Sequence, residues 1–315
     1  MIIRTSVSHG FLILSYSVVQ ICCSVVTLLP ENRFWVEHEW SFLNFTWPTL
    51  GKYIAAIGSG AYVPENIVPT GLKVYNDSIY LSMPRFRSGV PVTLAYIPMD
   101  TSLKQNELLI PFPSWEMNDE RFCANLQSVQ SMEIDTKGIM WVLDGVRIND
   151  YYKCPPKLVL FDLNYNGLFV NSYTFSNEVC LQNGGFLKDI VIDESEGGYA
   201  YITDNSNIDP GLIVYSRTKN RAWKLRDRTM FPELWAANFM VKNQRIESLV
   251  PIDGIALSPK PTDETENRTV FYTSLTGFDL FAISSSVLKD EEFCRKDRWR
   301  SYVKFVGKST DRQTE

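Results

Sequence analysis

The chain has 315 residues, 45% hydrophobic and 13% aromatic, and a formal net charge of −5. This apolar content excludes a chain disordered along its length, and an acidic balance without a long basic run gives no footprint for nucleic acid. Two histidines, His9 and His38, are too few for a His-rich metal centre, so neither a metal nor a cofactor is expected.

Arg4 precedes a mostly apolar stretch over 11–29, and small residues near Cys22, Cys23 and Ser24 supply a cleavage site. Residues 1–24 therefore read as a secretory signal peptide. A signal anchor is the competing reading, because the stretch approaches spanning length. Ser15, Ser17 and Gln20 interrupt it and Pro30 ends it, which favours cleavage. No later run is long and apolar enough to span a bilayer, so the expectation is a secreted, extracellular protein without stable membrane insertion.

Two features agree with export. Glycosylation sequons stand at Asn44-Phe-Thr46, Asn76-Asp-Ser78 and Asn267-Arg-Thr269. Removing the signal also removes Cys22 and Cys23, leaving Cys123, Cys154, Cys180 and Cys294, an even number. Proximity in the chain favours Cys123–Cys154 with Cys180–Cys294. Free, buried thiols are the alternative, and the spacings fit no zinc pattern.

From residue 70 onward one pattern recurs. Ile79-Tyr-Leu-Ser-Met83, Met140-Trp-Val-Leu-Asp144, Ala200-Tyr-Ile-Thr-Asp204 and Phe271-Tyr-Thr-Ser-Leu275 begin 61, 60 and 71 residues apart. An apolar strand precedes each, at 72–75, 131–135, 189–193 and 254–257. Another follows, at 93–97, 158–162, 212–215 and 280–283. An outer strand is expected at 108–112, 168–175, 222–225 and 302–306. Four strands per unit, repeated in series, predict an all-β fold, a β-propeller of about four blades. A β-sandwich accommodates the strand spacing but not the recurring unit. The propeller is bounded at 34–307, with a polar tail at 308–315. The segment Phe42–Ile57 is expected to supply N-terminal strands of the kind that join a final blade.

The order of several motifs resembles the Yellow/major royal jelly protein family of insects. They include Gly58-Ser-Gly-Ala-Tyr-Val-Pro-Glu-Asn66, Met83-Pro-Arg-Phe-Arg-Ser-Gly-Val-Pro-Val-Thr-Leu94, Pro111-Phe-Pro-Ser-Trp115 and Trp141-Val-Leu-Asp-Gly145. Cys154-Pro-Pro-Lys-Leu-Val-Leu-Phe-Asp-Leu163, Gly211-Leu-Ile-Val-Tyr215 and Asp253-Gly-Ile-Ala-Leu-Ser258 continue the series. The resemblance runs from about Trp40 to Gly307. It implies a secreted, six-bladed propeller acting in cuticle pigmentation, in binding of small biogenic amines, as a nutritive protein, or in dopachrome conversion on the melanin pathway. One fold carrying several functions leaves the activity open.

The chain departs from the family pattern in places. Phe86 stands where the family usually has Trp, and Lys137 and Ile139 replace a Cys-x-Arg. The family's third-blade motif has no counterpart to Cys180. Relatives continue for roughly another hundred residues, forming two further blades, whereas this sequence ends at Glu315. An incomplete gene model, an alternative transcript and a truncated protein are the three readings. An unclosed ring would expose strand edges, so an oligomer or a partner covering that edge is expected.

Ligands of propellers enter at the channel or its mouth. The strand ends Asp144 and Asp204 and the loop residue Asp253 are candidates to meet an amine there. Accepting backbone hydrogen bonds in tight turns is the competing role. Arg85 is placed either to hold a carboxylate or phenolate or to bridge two blades. Phe86, Trp141 and Tyr201, with Tyr80 and Tyr272, would stack an aromatic ring, or equally pack the blades. Trp115 reads as an anchor for an interblade loop, and 260–266 as a solvated polar insertion. His38 reads as a surface residue rather than a base. No nucleophile, phosphate-loop or dinucleotide motif is present. The expected function is a non-enzymatic extracellular protein binding small aromatic amines or serving a cuticular or nutritive role. The alternative is a dopachrome-converting isomerase with a quinone ligand.

Overall fold

The computed structural model describes residues 2–6, 34–100, 105–145, 154–241, 243–247, 249–262 and 267–309. Most of the expected signal peptide, the tip of the polar insertion and the end of the polar tail lie outside the described residues.

Four four-stranded antiparallel sheets follow one another along the chain, each a simple meander. The first blade is β3 (Gly71–Tyr75), β4 (Ser78–Ser82), β5 (Leu94–Pro98) and β6 (Ile110–Pro111). The second is β7 (Val129–Ile134), β8 (Ile139–Asp144), β9 (Lys157–Asp162) and β10 (Leu168–Thr174). The third is β11 (Leu187–Asp193), β12 (Tyr199–Asp204), β13 (Gly211–Ser216) and β14 (Arg221–Leu225). The fourth is β17 (Ile252–Leu257), β18 (Thr269–Ser274), β19 (Asp279–Ser284) and β20 (Lys304–Lys308). The four repeats read from the sequence are these blades, and the fold is an all-β propeller arrangement. A ribbon of β1 (Ile2–Ser6) with β2 (Phe34–Glu39) precedes them, and the hairpin β15 (Asn238–Val241) with β16 (Gln244–Glu247) sits between the third and fourth.

Residue type follows position in the blade. Strands β8 and β12 are buried along their whole length, which is why they read as unbroken runs of apolar and aromatic residues. Outer strand β10 has no buried position, only exposed and half-buried ones. The first strand of each blade is innermost, with β3 against β7, β7 against β11 and β11 against β17. Apolar clusters fill the spaces between successive blades: one joins the first to the second, another the second to the third, another the third to the fourth. Each seam buries the facing side chains of two sheets, so a blade is held mainly by its neighbours in the chain. Leu72 and Val74 on β3, and Phe305 and Val306 on β20, are exposed.

Two expectations need correction. The segment Phe42–Ile57 does not form strands of a final blade. It carries α1 (Leu50–Ser59), whose first turn is capped by Thr49 Oγ1 accepting from Lys52 N at 3.2 Å and whose end is set by Gly60 at φ 74°. The stretch packs on the first blade: Trp40, Leu43 and Phe45 share a cluster with Leu81, Ile97 and Leu109. Trp115, in the interblade loop from β6 to β7, anchors that loop as expected, its indole donating to Thr46 O of the N-terminal segment at 2.9 Å beside Trp47. His38 is not a surface residue but buried, stacked on Trp40. Two short helices the repeat does not announce, α2 (Ser285–Lys289) and α3 (Glu291–Arg295), fill the connection from β19 to β20.

Candidate functional site at the mouth of the blades

Antiparallel pairing sets which loops meet. Gly71 pairs with Ser82, Val129 with Asp144, Leu187 with Asp204 and Ile252 with Ser274. The segments leaving each second strand and entering each first strand therefore emerge on one face. Of the sequence-predicted binding residues, Arg85, Phe86, Asp144, Asp204 and Asp253 stand at this end of their blades, whereas Tyr80, Trp141, Tyr201 and Tyr272 lie inside their strands.

Asp144 is buried and accepts from Gln127 N at 2.9 Å and Ser128 N at 2.7 Å, the segment entering β7. Buried Lys157 lies 3.3 Å from it. In Trp141-Val-Leu-Asp-Gly145 the glycine is required by a close approach: a Cβ on Gly145 would stand 2.5 Å from Pro156 Cβ. Asp204 repeats the arrangement one blade on. It accepts from Phe186 N at 2.7 Å and pairs with Lys224 at 2.7 Å, both charges fully buried. Lys224 also reaches Asp209 at 3.1 Å, which Arg226 holds at 2.6 Å. These carboxylates tie the entry of the inner strand to the exit of the second strand.

Arg85 bridges blades. Its guanidinium donates to the carbonyls of Val90, Pro91, Asn118, Leu126 and Gln127, and Ser128 Oγ accepts from its backbone N–H at 2.8 Å. Trp141 and Tyr201 are both 0% exposed. The Trp141 indole donates to Asp135 at 3.1 Å and its ring meets Tyr215 edge-on. The Tyr201 hydroxyl donates to Asp193 at 3.4 Å, and burial holds its phenol well above the ordinary range. These two aromatics pack the seams.

Phe86 is different: 37% exposed, it crosses from the first blade to lie parallel to Phe186 of the third, with ring centroids 6.5 Å apart and planes 7° apart. Phe186 is a wall of a cleft of about 670 Å³, a volume suited to a small organic ligand. Asn205, Ser206 and Phe231 continue the wall, and Glu247 supplies the carboxylate among its lining residues. Asp253 borders it indirectly. Its carboxylate accepts from the Asn205 amide and lies 3.7 Å from Lys188. None of the predicted residues lines the cleft itself: Phe86, Asp204 and Asp253 adjoin it through Phe186 and Asn205, whereas Arg85, Trp141, Asp144 and Tyr201 lie in the framework.

Sequence reasoning missed a polar seam between the inner strands. Lys73 pairs with Glu133 at 2.7 Å, and Ser131 donates to Asp189 at 3.1 Å. Burial raises the Asp189 carboxyl above the usual range, opposed by hydrogen bonds from Ile190 N and Ser131. A carboxyl with a raised folded pKa stabilises the fold while protonated and loses that contribution as pH rises through its folded value. Asp189→Asn, which cannot ionise, is therefore expected to gain stability relative to the parent as pH rises from about 4 to about 7. Urea unfolding at the two pH values checks this. A constant difference between the proteins would contradict it.

The cysteines split. Cys123 and Cys154 form a disulfide, Cα atoms 5.4 Å apart, bracing the entry to the second blade. The expected Cys180–Cys294 bridge is absent: both are free and buried, Cys180 between the second and third blades and Cys294 between the third and fourth. Desolvation raises both thiols, that of Cys294 to about 12. No helix among the described residues is long and apolar enough to cross a membrane.

Comparison with known proteins follows the same pattern. Protein yellow of Drosophila melanogaster is 31% identical over 285 residues, covering 86% of this chain and 52% of its own length. Protein yellow of Drosophila guanche is 29% identical over 298 residues, covering 91% and 51%. The chain thus spans about half the length of these curated relatives. Among solved structures, virginiamycin B lyase from Staphylococcus aureus aligns at 13% identity with a TM-score of 0.32, covering 69% of this chain and 67% of that one. Residues 127–315 match the major royal jelly protein family. With that match spanning more than half of the sequence, the chain belongs to the Yellow/major royal jelly protein family.

Proposed function

We propose that the protein is a secreted binder of small aromatic amines, with the cleft beside Phe186 as its site. The observation that carries this reading is the near-parallel Phe86–Phe186 pair at the edge of a 670 Å³ cleft. A planar ring gains dispersion and quadrupole energy against such faces, and an ammonium group gains from a carboxylate within reach, here Glu247. Polar Asn205 and Ser206 offer partners for ring hydroxyls. The signal-like N-terminus and the Cys123–Cys154 disulfide support export, since disulfides persist in oxidising compartments.

Titration calorimetry with dopamine and tryptamine tests the reading. Phe186→Ala is expected to weaken both by up to about tenfold, the scale of one lost aromatic contact. Glu247→Gln should weaken dopamine but leave 4-methylcatechol, which lacks the ammonium, unchanged. Absence of heat with every amine would end the proposal. Turnover of dopachrome by the same preparation would replace binding with the isomerase reading.

A further inference from the structure

We propose that Asn76 carries an N-linked glycan whose first N-acetylglucosamine seats in an aromatic cleft between the first and second blades. Asn76 and Asp77 form the two-residue turn from β3 to β4, with Tyr75 paired to Ser78 across it. Asn76 takes φ 47° and is exposed, as an acceptor side chain must be. It also lines a cleft of about 330 Å³. Tyr80, Tyr96 and Phe112 of the first blade supply its apolar walls, and Asn166 and Gly167 of the β9–β10 turn close it from the second blade.

The chemistry of these walls matches a pyranose. A sugar presents C–H groups on its faces and hydroxyl and acetamido groups at its edge. Half-buried Tyr96 presents its ring to the cleft, backed by the buried rings of Tyr80 at 5.6 Å and Phe112 at 6.1 Å, so a C–H face would meet chiefly Tyr96. The Tyr75 hydroxyl, bonded to Asn164 at 3.0 Å, and the Asn166 side chain offer polar partners at the rim. A residue tethered at Asn76 meets this surface at high effective concentration, so weak contacts suffice.

The other two sequons stand differently: Asn44 is beside Trp47 but its side-chain oxygen is already engaged, and the cleft at Asn267 has no aromatic wall. Asn44 Oδ1 accepts from Phe45 N at 2.8 Å and from Trp47 Nε1 at 2.9 Å, and Thr46 Oγ1 donates to Leu109 O at 3.5 Å. Asn267 opens on a cleft whose lining includes Glu194, Lys260, Arg268 and Lys289 and no aromatic ring. The site requires passage through the secretory pathway and so rests on the export reading.

The full chain with its own N-terminus, expressed in insect cells and collected from the medium, provides the test. Mass spectrometry of glycopeptides should find Asn76 occupied. Ser78→Ala and Asn76→Gly, which remove the acceptor signal, should lower Tm, whereas Ser78→Thr, which keeps it, should not. Tyr96→Ala should lower Tm more in the glycosylated parent than in the Ser78→Ala background, and trimming the glycan to its first sugar should leave Tm unchanged. A secreted protein with Asn76 bare and another sequon occupied would overturn the proposal alone. So would an occupied Asn76 whose removal moves neither Tm nor the Tyr96 effect. A chain retained in cells with all three sequons bare would overturn the export reading as well.

Discussion

Lys224→Ala is expected to cost about 3–5 kcal/mol of folding stability, the range for removing one partner of a buried ion pair. Lys224 is fully buried, 2.7 Å from Asp204 and 3.1 Å from Asp209. Its loss strands the Asp204 carboxylate in the packed interior, where it also fixes the backbone of Phe186. The cost comes from that orphaned charge rather than from the strength of the pair. The double variant Asp204→Asn/Lys224→Met should therefore recover a large part of the loss, because neither charge then needs a partner. Urea unfolding of the three proteins checks both statements. If the double variant were as unstable as Lys224→Ala, the explanation by an unpaired charge would fail. Because Asp204 holds the cleft wall, surviving Lys224→Ala protein should also bind aromatic amines less tightly.

Trp141→Ala and Phe86→Ala should have opposite profiles although both residues are aromatic and both sit in motifs that carry the family resemblance. Trp141 is 0% exposed within the cluster between the second and third blades, against Tyr215 and with its indole N–H on Asp135. Truncation there leaves a cavity and an unpaired acceptor, and about 3–5 kcal/mol is expected. Phe86 is partly exposed and touches Phe186 across the mouth, so its truncation should cost about 1 kcal/mol or less. Ligand affinity should fall in Phe86→Ala and persist in whatever Trp141→Ala protein remains folded. Thermal melts and calorimetry on both variants separate the two roles. A stable Trp141→Ala protein with lost binding would reverse the assignment.

The blades are legible in the sequence because second strands such as β8 and β12 are buried on both faces, and burial on both faces leaves an uninterrupted apolar run. The strand-end aspartates are legible for the same reason, since a charge closing such a run stands out. Their partners are not: Lys157 opens β9 and Lys224 lies inside β14, and only strand register brings them to Asp144 and Asp204. Helix α1 reads as strand because of Ile54 and Ile57, although Thr49 and Gly60 are available as caps. The polar inner seam is hidden because Lys73, Glu133 and Asp189 resemble a solvated strand face until neighbouring blades cover them. The cleft wall is assembled from turns at 184–186, 205–207 and 231–232, which carry no periodic signal.

Stacking of each blade on its sequence neighbours has a consequence for motion. Blades one, two and three are each clasped by apolar clusters on both sides, the first between the N-terminal segment and the second blade, whereas among the described residues the fourth has such a cluster only toward the third. Among the described residues, detaching the fourth blade breaks one such seam; detaching any of the others breaks two. Fully buried and clasped on both sides, β8 and β12 are expected to hold the slowest-exchanging amide protons among the described strands. Asn205 follows β12 directly, so that wall of the cleft stands on one of the strands expected to open last, while Glu247 across from it stands on the separate β15–β16 hairpin.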